Sequence, residues 1–244
     1  MWVGTLYGAL NTAVYAPQRD ILSPMRMPIS GIFRIKGVGD VVVGRVEQGV
    51  VLAGEEVVFC PTHSAFSPCE GRVFSVEMHH EHLEKGLPGD NIGVNVKGLD
   101  KLNPPRTGDV MVYKSDSTAL ASTKEFTAQV HTLDSVPGNI KPGYTPIAFV
   151  RCARAPCRLV DINWKEGGRE RGREGEKEWA GVLKANEMAE AVFQPMGPLV
   201  LEPSERCDGL SRIAFLDGNT VMMLGKVLKP RPSMCWVSYR IPSH

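Results

Sequence analysis

Glycine and proline interrupt this chain too often for long helices to run through it. There are 25 glycines and 18 prolines in 244 residues, spread along the whole length. Between them lie short valine-rich runs whose apolar residues recur with period two. Val42, Gly44 and Val46 fall on one face of an extended segment, and Val43, Arg45 and Glu47 on the other. Gln48-Gly49 supplies a turn, after which Val50-Val51-Leu52 starts again. Gly54-Glu55-Glu56-Val57-Val58-Phe59, Gly71-Arg72-Val73-Phe74-Ser75-Val76 and Asn91-Ile92-Gly93-Val94-Asn95-Val96 read as further strands. Leu87-Pro88-Gly89-Asp90 and Arg106-Thr107-Gly108-Asp109 are turns, and Val110-Met111-Val112-Tyr113 is the last strand of the set. Short strands at this spacing predict a barrel or a sandwich.

A polar stretch of small residues, Lys114-Ser115-Asp116-Ser117-Thr118-Ala119, reads as a linker to a second all-β set. Its strands are expected at Phe126-Thr127-Ala128-Gln129-Val130, over 144–150, 157–162, 188–193 and 211–216, and finally over 220–227. With 43% hydrophobic residues the chain is long enough for two ordinary cores. The expected fold class is all-β: two tandem antiparallel β-barrels preceded by a short N-terminal helix. Residues 1–22 form the helix and a linker, 23–115 the first barrel, 120–229 the second, and 230–244 an irregular tail. The helix follows from Trp2, Leu6, Leu10 and Val14, which recur at i+4 steps. Residues 167–178 are a run of mixed charge with glycines and no apolar residue, expected to be a solvated loop.

Lysine and arginine number 28 against 27 acidic residues, so overall charge points to no polyanionic partner, and any nucleic-acid surface has to be a local patch. Six cysteines at irregular spacing make no disulfide framework, which predicts a reducing compartment. No apolar run approaches the roughly 18 residues of a membrane span. The N-terminus has no basic segment ahead of its apolar residues, so the expectation is a cytoplasmic protein without a signal peptide.

Four sets of residues invite chemistry. Gly39-Asp40-Val41-Val42-Val43-Gly44-Arg45-Val46 approaches the phosphate loop G-x-x-x-x-G-K-[ST], but Arg45 stands for the lysine and Val46 for the Mg²⁺-binding hydroxyl. Consecutive valines also favour an extended chain over one that wraps an anion. His79-His80-Glu81-His82 suggests zinc yet lacks H-E-x-x-H spacing, and Cys60, His63 and Cys69 are a second candidate set; both read better as surface imidazoles and ordinary thiols. Cys157 reads as core. No nucleophile, base and orienting group assemble from spacing alone, so no enzyme activity and no metal site are expected of this chain. Arg151, Arg154 and Arg158, with Lys165 nearby, either grip phosphates or line a solvated strand edge.

The segments Val43-Gly44-Arg45-Val46-Glu47-Gln48-Gly49, Ser75-Val76-Glu77-Met78-His79-His80-Glu81 and Pro88-Gly89-Asp90-Asn91-Ile92-Gly93 resemble domain 2 of translation elongation factors. The likeness is to eukaryotic elongation factor 1 alpha and elongation factor-like proteins, and more distantly to elongation factor Tu. Phe126-Thr127-Ala128-Gln129-Val130, Gly143-Tyr144-Thr145-Pro146 and residues 209–227 look like domain 3 of the same family. The phrases Met25-Arg26-Met27-Pro28-Ile29-Ser30-Gly31-Ile32 and Lys97-Gly98-Leu99-Asp100-Lys101 look most like the elongation factor-like branch. The family's GTP-binding domain precedes these barrels, and Gly4-Thr5-Leu6-Tyr7-Gly8-Ala9-Leu10 is similar to its last helix. By resemblance, GTP and Mg²⁺ belong to that preceding domain, and this chain itself carries no cofactor.

What the resemblance implies is a part of the factor that delivers aminoacyl-tRNA to the ribosomal A site. The 3′-terminal adenosine would sit in a shallow pocket of the first barrel, with Glu77 and Met78 beside the adenine and His79 and His80 at the rim. Asn91 would lie on the strand opposite, and Gly37, Val38, Gly39 and Asp40 would form the other lip. A splayed base needs packing, edge hydrogen bonds and glycines that admit close backbone approach. Arg151 and Arg154 would contact the T-stem backbone. Implied partners are aminoacyl-tRNA, the ribosome and a nucleotide-exchange factor; the chain would be a monomer. The alternative implied function is a protein-interaction module that docks the exchange factor without binding tRNA.

Overall fold

The computed structural model describes residues 5–15, 19–64, 66–116, 120–165 and 181–232. The expected 167–178 loop, residues 117–119 of the linker, Trp2, and the tail beyond residue 232 lie outside them. Helix α1 (Leu6–Ala13) is capped by Thr5, whose hydroxyl accepts the Gly8 amide at 3.0 Å. It has the expected amphipathic spacing, but none of its residues is buried.

The first barrel contains β1 (Met27–Ile35), β2 (Gly39–Arg45), β3 (Val51–Leu52), β4 (Glu56–Cys60), β5 (Glu70–Met78), β6 (Glu81–Leu83), β7 (Lys85–Gly86), β8 (Asn91–Lys97) and β9 (Val110–Tyr113). Six of them close in the order β4-β9-β1-β2-β8-β5, with β5 returning to β4; β6 extends β5, and β3 pairs with β7 outside the ring. Inward residues such as Ile29, Val42, Val76 and Val94 are fully buried, as period two requires. Each contributes roughly 1.5–3 kcal/mol by leaving water.

The second barrel closes in the order β10-β13-β12-β11-β14-β15. Its strands are β10 (Thr123–Thr132), β11 (Ile147–Val150), β12 (Ala153–Lys165), β13 (Met188–Pro195), β14 (Arg212–Asp217) and β15 (Thr220–Pro232), with a one-turn helix α2 (Asp208–Ser211) before β14. Phe193 stacks between Phe126 and Phe215, at centroid distances of 5.4 and 4.4 Å. The expected start of a strand at Tyr144 is instead a turn, and β11 begins at Ile147. Ser211 ends α2 rather than starting a strand.

The tail is a further correction, because β15 continues through Lys229, Pro230, Arg231 and Pro232, paired with β10. Pro230 and Pro232 give no amide to a ladder, which argued against a strand. Pairing with β14 stops at Lys226, so beyond it one edge of β15 has no strand partner among the described residues. Shifts of register in the β10 ladder accommodate the prolines on the other edge.

Two strands serve both cores. Val57 and Phe59 of β4 face the first core while Val58 and Cys60 join the second. Met111 of β9 faces the first, and Val110 and Val112 the second. This explains why these runs are apolar without alternation. Charges complete the seam. Arg26, 2% exposed, donates from Nη1 to Asp116 Oδ2 at 2.6 Å and from Nε to Glu202 Oε2 at 3.1 Å.

Candidate nucleic-acid interface

The outward face of β1, β2, β8, β5 and β6 is read from register. One rung runs Gly31, Val43, Gly93, Glu77 and His82 across five strands. The next runs Phe33, Val41, Asn95 and Ser75. Gly93 leaves the centre of the first rung bare, since a Cβ there would meet only Val41 Cγ1 at 3.5 Å and the Glu77 carbonyl at 3.9 Å. Beside Gly31 the Phe33 ring lies so close that an added Cβ would stand 2.9 Å from it.

Of the sequence-predicted residues, Glu77, His79, His80 and Asn91 gather at one end of this face. Glu77 pairs with Gly93 and His82, and Asn91 with Arg45, two residues further along β8. His79 and His80 form the two-residue β5–β6 turn with φ of 54° and 66°. Both are left-handed, a conformation that type I′ turns fill with asparagine and glycine. Met78, expected beside the adenine, is half-buried and packs against the first core.

Gly37, Val38, Gly39 and Asp40 lie at the other end. Asp40 is level with Val96, three residues from Gly93, or about 10 Å along the strand. Gly37 and Gly39 take φ of 86° and 115°, which only glycine adopts freely. Asp40 is held by Arg34, with Nε to Oδ1 at 2.9 Å. Between the two ends sits Asn95, which sequence reasoning missed although β8 alternation places Asn91, Gly93, Asn95 and Lys97 on one face. Asn95 is 6% exposed; its Nδ2 donates to the Val38 carbonyl at 3.3 Å and its Oδ1 has no partner among the described residues. Lys97 Nζ donates to the same carbonyl.

The two arginines expected on the second barrel have different environments. Arg151, at the β11–β12 turn, bonds Glu47 Oε2 of the first barrel at 2.8 Å and the Gly209 carbonyl at 3.0 Å. Glu47 fits because position 209 has no side chain: a Cβ there would lie 2.3 Å from its Oε2. Arg151 is therefore a seam residue. Arg154 is exposed, has no ion pair among the described residues, and lines a cleft of about 360 Å³ between the barrels with Arg106, Asn103 and Asp109.

The glycine run from Gly39 to Arg45 is β2, paired with β1 on one side and β8 on the other, so its amides serve the sheet and do not cradle a phosphate. Mg²⁺ and a nucleotide have no fit to these residues. His63 Nδ1 accepts the Cys69 amide at 3.0 Å, and burial lowers the imidazole's pKa. Burial pushes the Cys60 and Cys69 thiols up to about 12, and they face different cores. Among the described residues no group of three or more histidine, cysteine or acidic side chains stands placed to hold a metal.

Two closed antiparallel barrels sharing a seam, the first with a bare glycine rung between two turns, define a translation-factor type of tandem barrel. Sequence comparison agrees: residues 39–112 match the family model described as elongation factor Tu domain 2, and residues 125–228 match the GTP-eEF1A C-terminal domain-like model. The elongation factor 1-alpha of Pyrococcus furiosus is 37% identical over 230 residues, covering 92% of this chain and 52% of that protein. Those of Hyperthermus butylicus and Desulfurococcus mucosus are 37% and 38% identical over 229 residues, each covering 94% of this chain and 50% of the relative. The chain belongs to the translation elongation-factor family. It spans about half the length of the curated relatives it matches. No helix among the described residues is long and apolar enough to cross a membrane.

Proposed function

We propose that this chain is the RNA-facing half of a translation elongation factor, binding the 3′ end of aminoacyl-tRNA on the outward face of the first barrel. The observation that supports this most is the bare Gly93 rung flanked by Glu77, where a flat base finds backbone and a carboxylate edge without a side chain in its way. Asn91, His79 and His80 border the base, and the 37–40 turn closes the far lip. Arg154 supplies a phosphate contact for the T-stem backbone. Arg151, occupied by Glu47, acts by holding the barrels in register for it. GTP and Mg²⁺ act from a separate nucleotide domain of the full factor, where delivery to the ribosomal A site is controlled. The setting is cytoplasmic and the chain is a monomer.

Phe33, Ile35 and Val38 are exposed on the same face, which favours a second reading in which a protein partner such as an exchange factor docks there. Titration with aminoacyl-tRNA at several salt concentrations separates the two. RNA binding predicts log affinity falling linearly with log salt, and Glu77→Ala weakening it. No binding at low salt, or a Glu77→Ala variant equal to the parent, sinks the tRNA reading for this chain.

A further inference from the structure

Strict alternation on β5 would place Phe74 inside the first barrel. Val76 points inward, so Ser75 should face out and position 74 in. Instead the β5–β8 ladder pairs Val73 with Val96 and Ser75 with Asn95, leaving Phe74 as the extra residue of a bulge. The bulge turns the ring to the surface, 64% exposed. A bulge that re-aims one side chain is a device found beside functional sites. Burying that ring instead would remove its apolar surface from water, so its exposure is costly unless something covers it.

The ring is also oriented. Lys97 Nζ lies 5.2 Å from the Phe74 centroid, and the same ammonium donates to the Val38 carbonyl of the 37–40 turn. One face of the ring is therefore fixed by a cation. Arg72, opposite Lys97 in the ladder, is turned away to the Gly54 carbonyl, which its Nε reaches at 2.7 Å, so Lys97 is the cation at the ring. On the neighbouring Ser75–Asn95 rung, Asn95 Oδ1 is buried with no hydrogen-bond partner among the described residues.

We infer that Phe74, backed by Lys97, is a stacking ledge for an unpaired nucleobase next to the base at Glu77. The inference rests on the tRNA reading above and extends it by one nucleotide. The Ser75–Asn95 rung is two residues from the Glu77–Gly93 rung, about 7 Å along the strand. That is about twice the 3.4 Å rise of a stacked nucleotide, so two neighbouring bases reach both places only if unstacked from each other. Aromatic stacking accepts any base, and the Lys97 ammonium at the ring favours a phosphate-bearing strand over an apolar peptide.

The probe is a short single-stranded RNA ending in adenosine, with 2-aminopurine as its penultimate base, titrated against the 244-residue chain. Stacking on Phe74 quenches the fluorophore, and Phe74→Ala weakens binding about tenfold while abolishing the quench. Phe74→Trp restores both. The ring is mostly exposed, so unchanged circular dichroism and thermal melting confirm that the Ala variant folds. Binding that Glu77→Ala weakens but Phe74→Ala leaves unaltered overturns the ledge alone. Failure of the parent chain to bind the probe overturns the ledge and the tRNA reading together. Retained binding of a hydrophobic peptide at Phe74, with no response to the RNA, assigns the ring to a protein partner.

Discussion

The seam between the barrels and the outward face of the first barrel use polar residues in opposite ways. At the seam the buried charges are answered: Arg26 by Asp116 and Glu202, and Glu47 by Arg151, which also donates to the Gly209 carbonyl. On the face the Asn95 amide oxygen has no hydrogen-bond partner among the described residues, two histidines hold left-handed backbone, and Phe74 is turned outward by a bulge. Completed polar networks fix geometry, whereas open ones carry a cost that a ligand can offset. The same chain thus separates what positions the site from what would bind.

The sharpest way to break this comparison is Arg26→Met. It removes the guanidinium that pairs Glu202 and Asp116, and removing one partner of an enclosed ion pair costs about 3–5 kcal/mol. Urea unfolding should show that loss, with the barrels ceasing to melt as one unit. A shift below 1 kcal/mol would mean that the seam is held by its apolar strands alone.

Next come the paired arginines. Arg151→Ala strands Glu47, whose side chain is 8% exposed, and should cost about 1–3 kcal/mol of stability. Arg154→Ala should stay within about 0.5 kcal/mol of the parent. In RNA titrations the order reverses: Arg154→Ala lowers the salt slope by about 1, while Arg151→Ala leaves it unchanged. Equal salt slopes for both variants would dissolve the distinction. Gly93→Val tests the face alone. Its Cβ meets only ordinary contacts at 3.5 and 3.9 Å, so melting should be little altered while RNA affinity falls about tenfold or more.

Much of the fold was legible because short strands advertise themselves by period two and by their turns. The unalternating runs Val57-Val58-Phe59-Cys60 and Val110-Met111-Val112 announced burial on both faces, but not that the second face belonged to another barrel. Arg26 could not be read as a buried charge, because its enclosure joins positions 26, 116 and 202. Arg151 and Arg154 are three residues apart and chemically identical; only the turn at Arg151 aims one across the seam. Asn91 was named through the family resemblance and Asn95 was not, although both lie on the outward face of β8. Pro230 and Pro232 concealed a strand because their tolerance depends on which edge has a partner. Sequence reports what each residue prefers, and these misses all concern what stands opposite it.

The smallest expected effect concerns the β5–β6 turn. His79 and His80 hold φ of 54° and 66°, where histidine is less comfortable than asparagine or glycine. His79→Asn with His80→Gly supplies the pair that a type I′ turn favours, and should stabilise the chain by roughly 0.5–1 kcal/mol. If the imidazoles border a bound base, the same double variant should bind RNA more weakly than the parent. Gain in one measurement with loss in the other is the signature of a turn kept strained for its side chains. A variant that is both more stable and equally tight in binding would remove His79 and His80 from the site and leave the turn without a functional reason for its histidines.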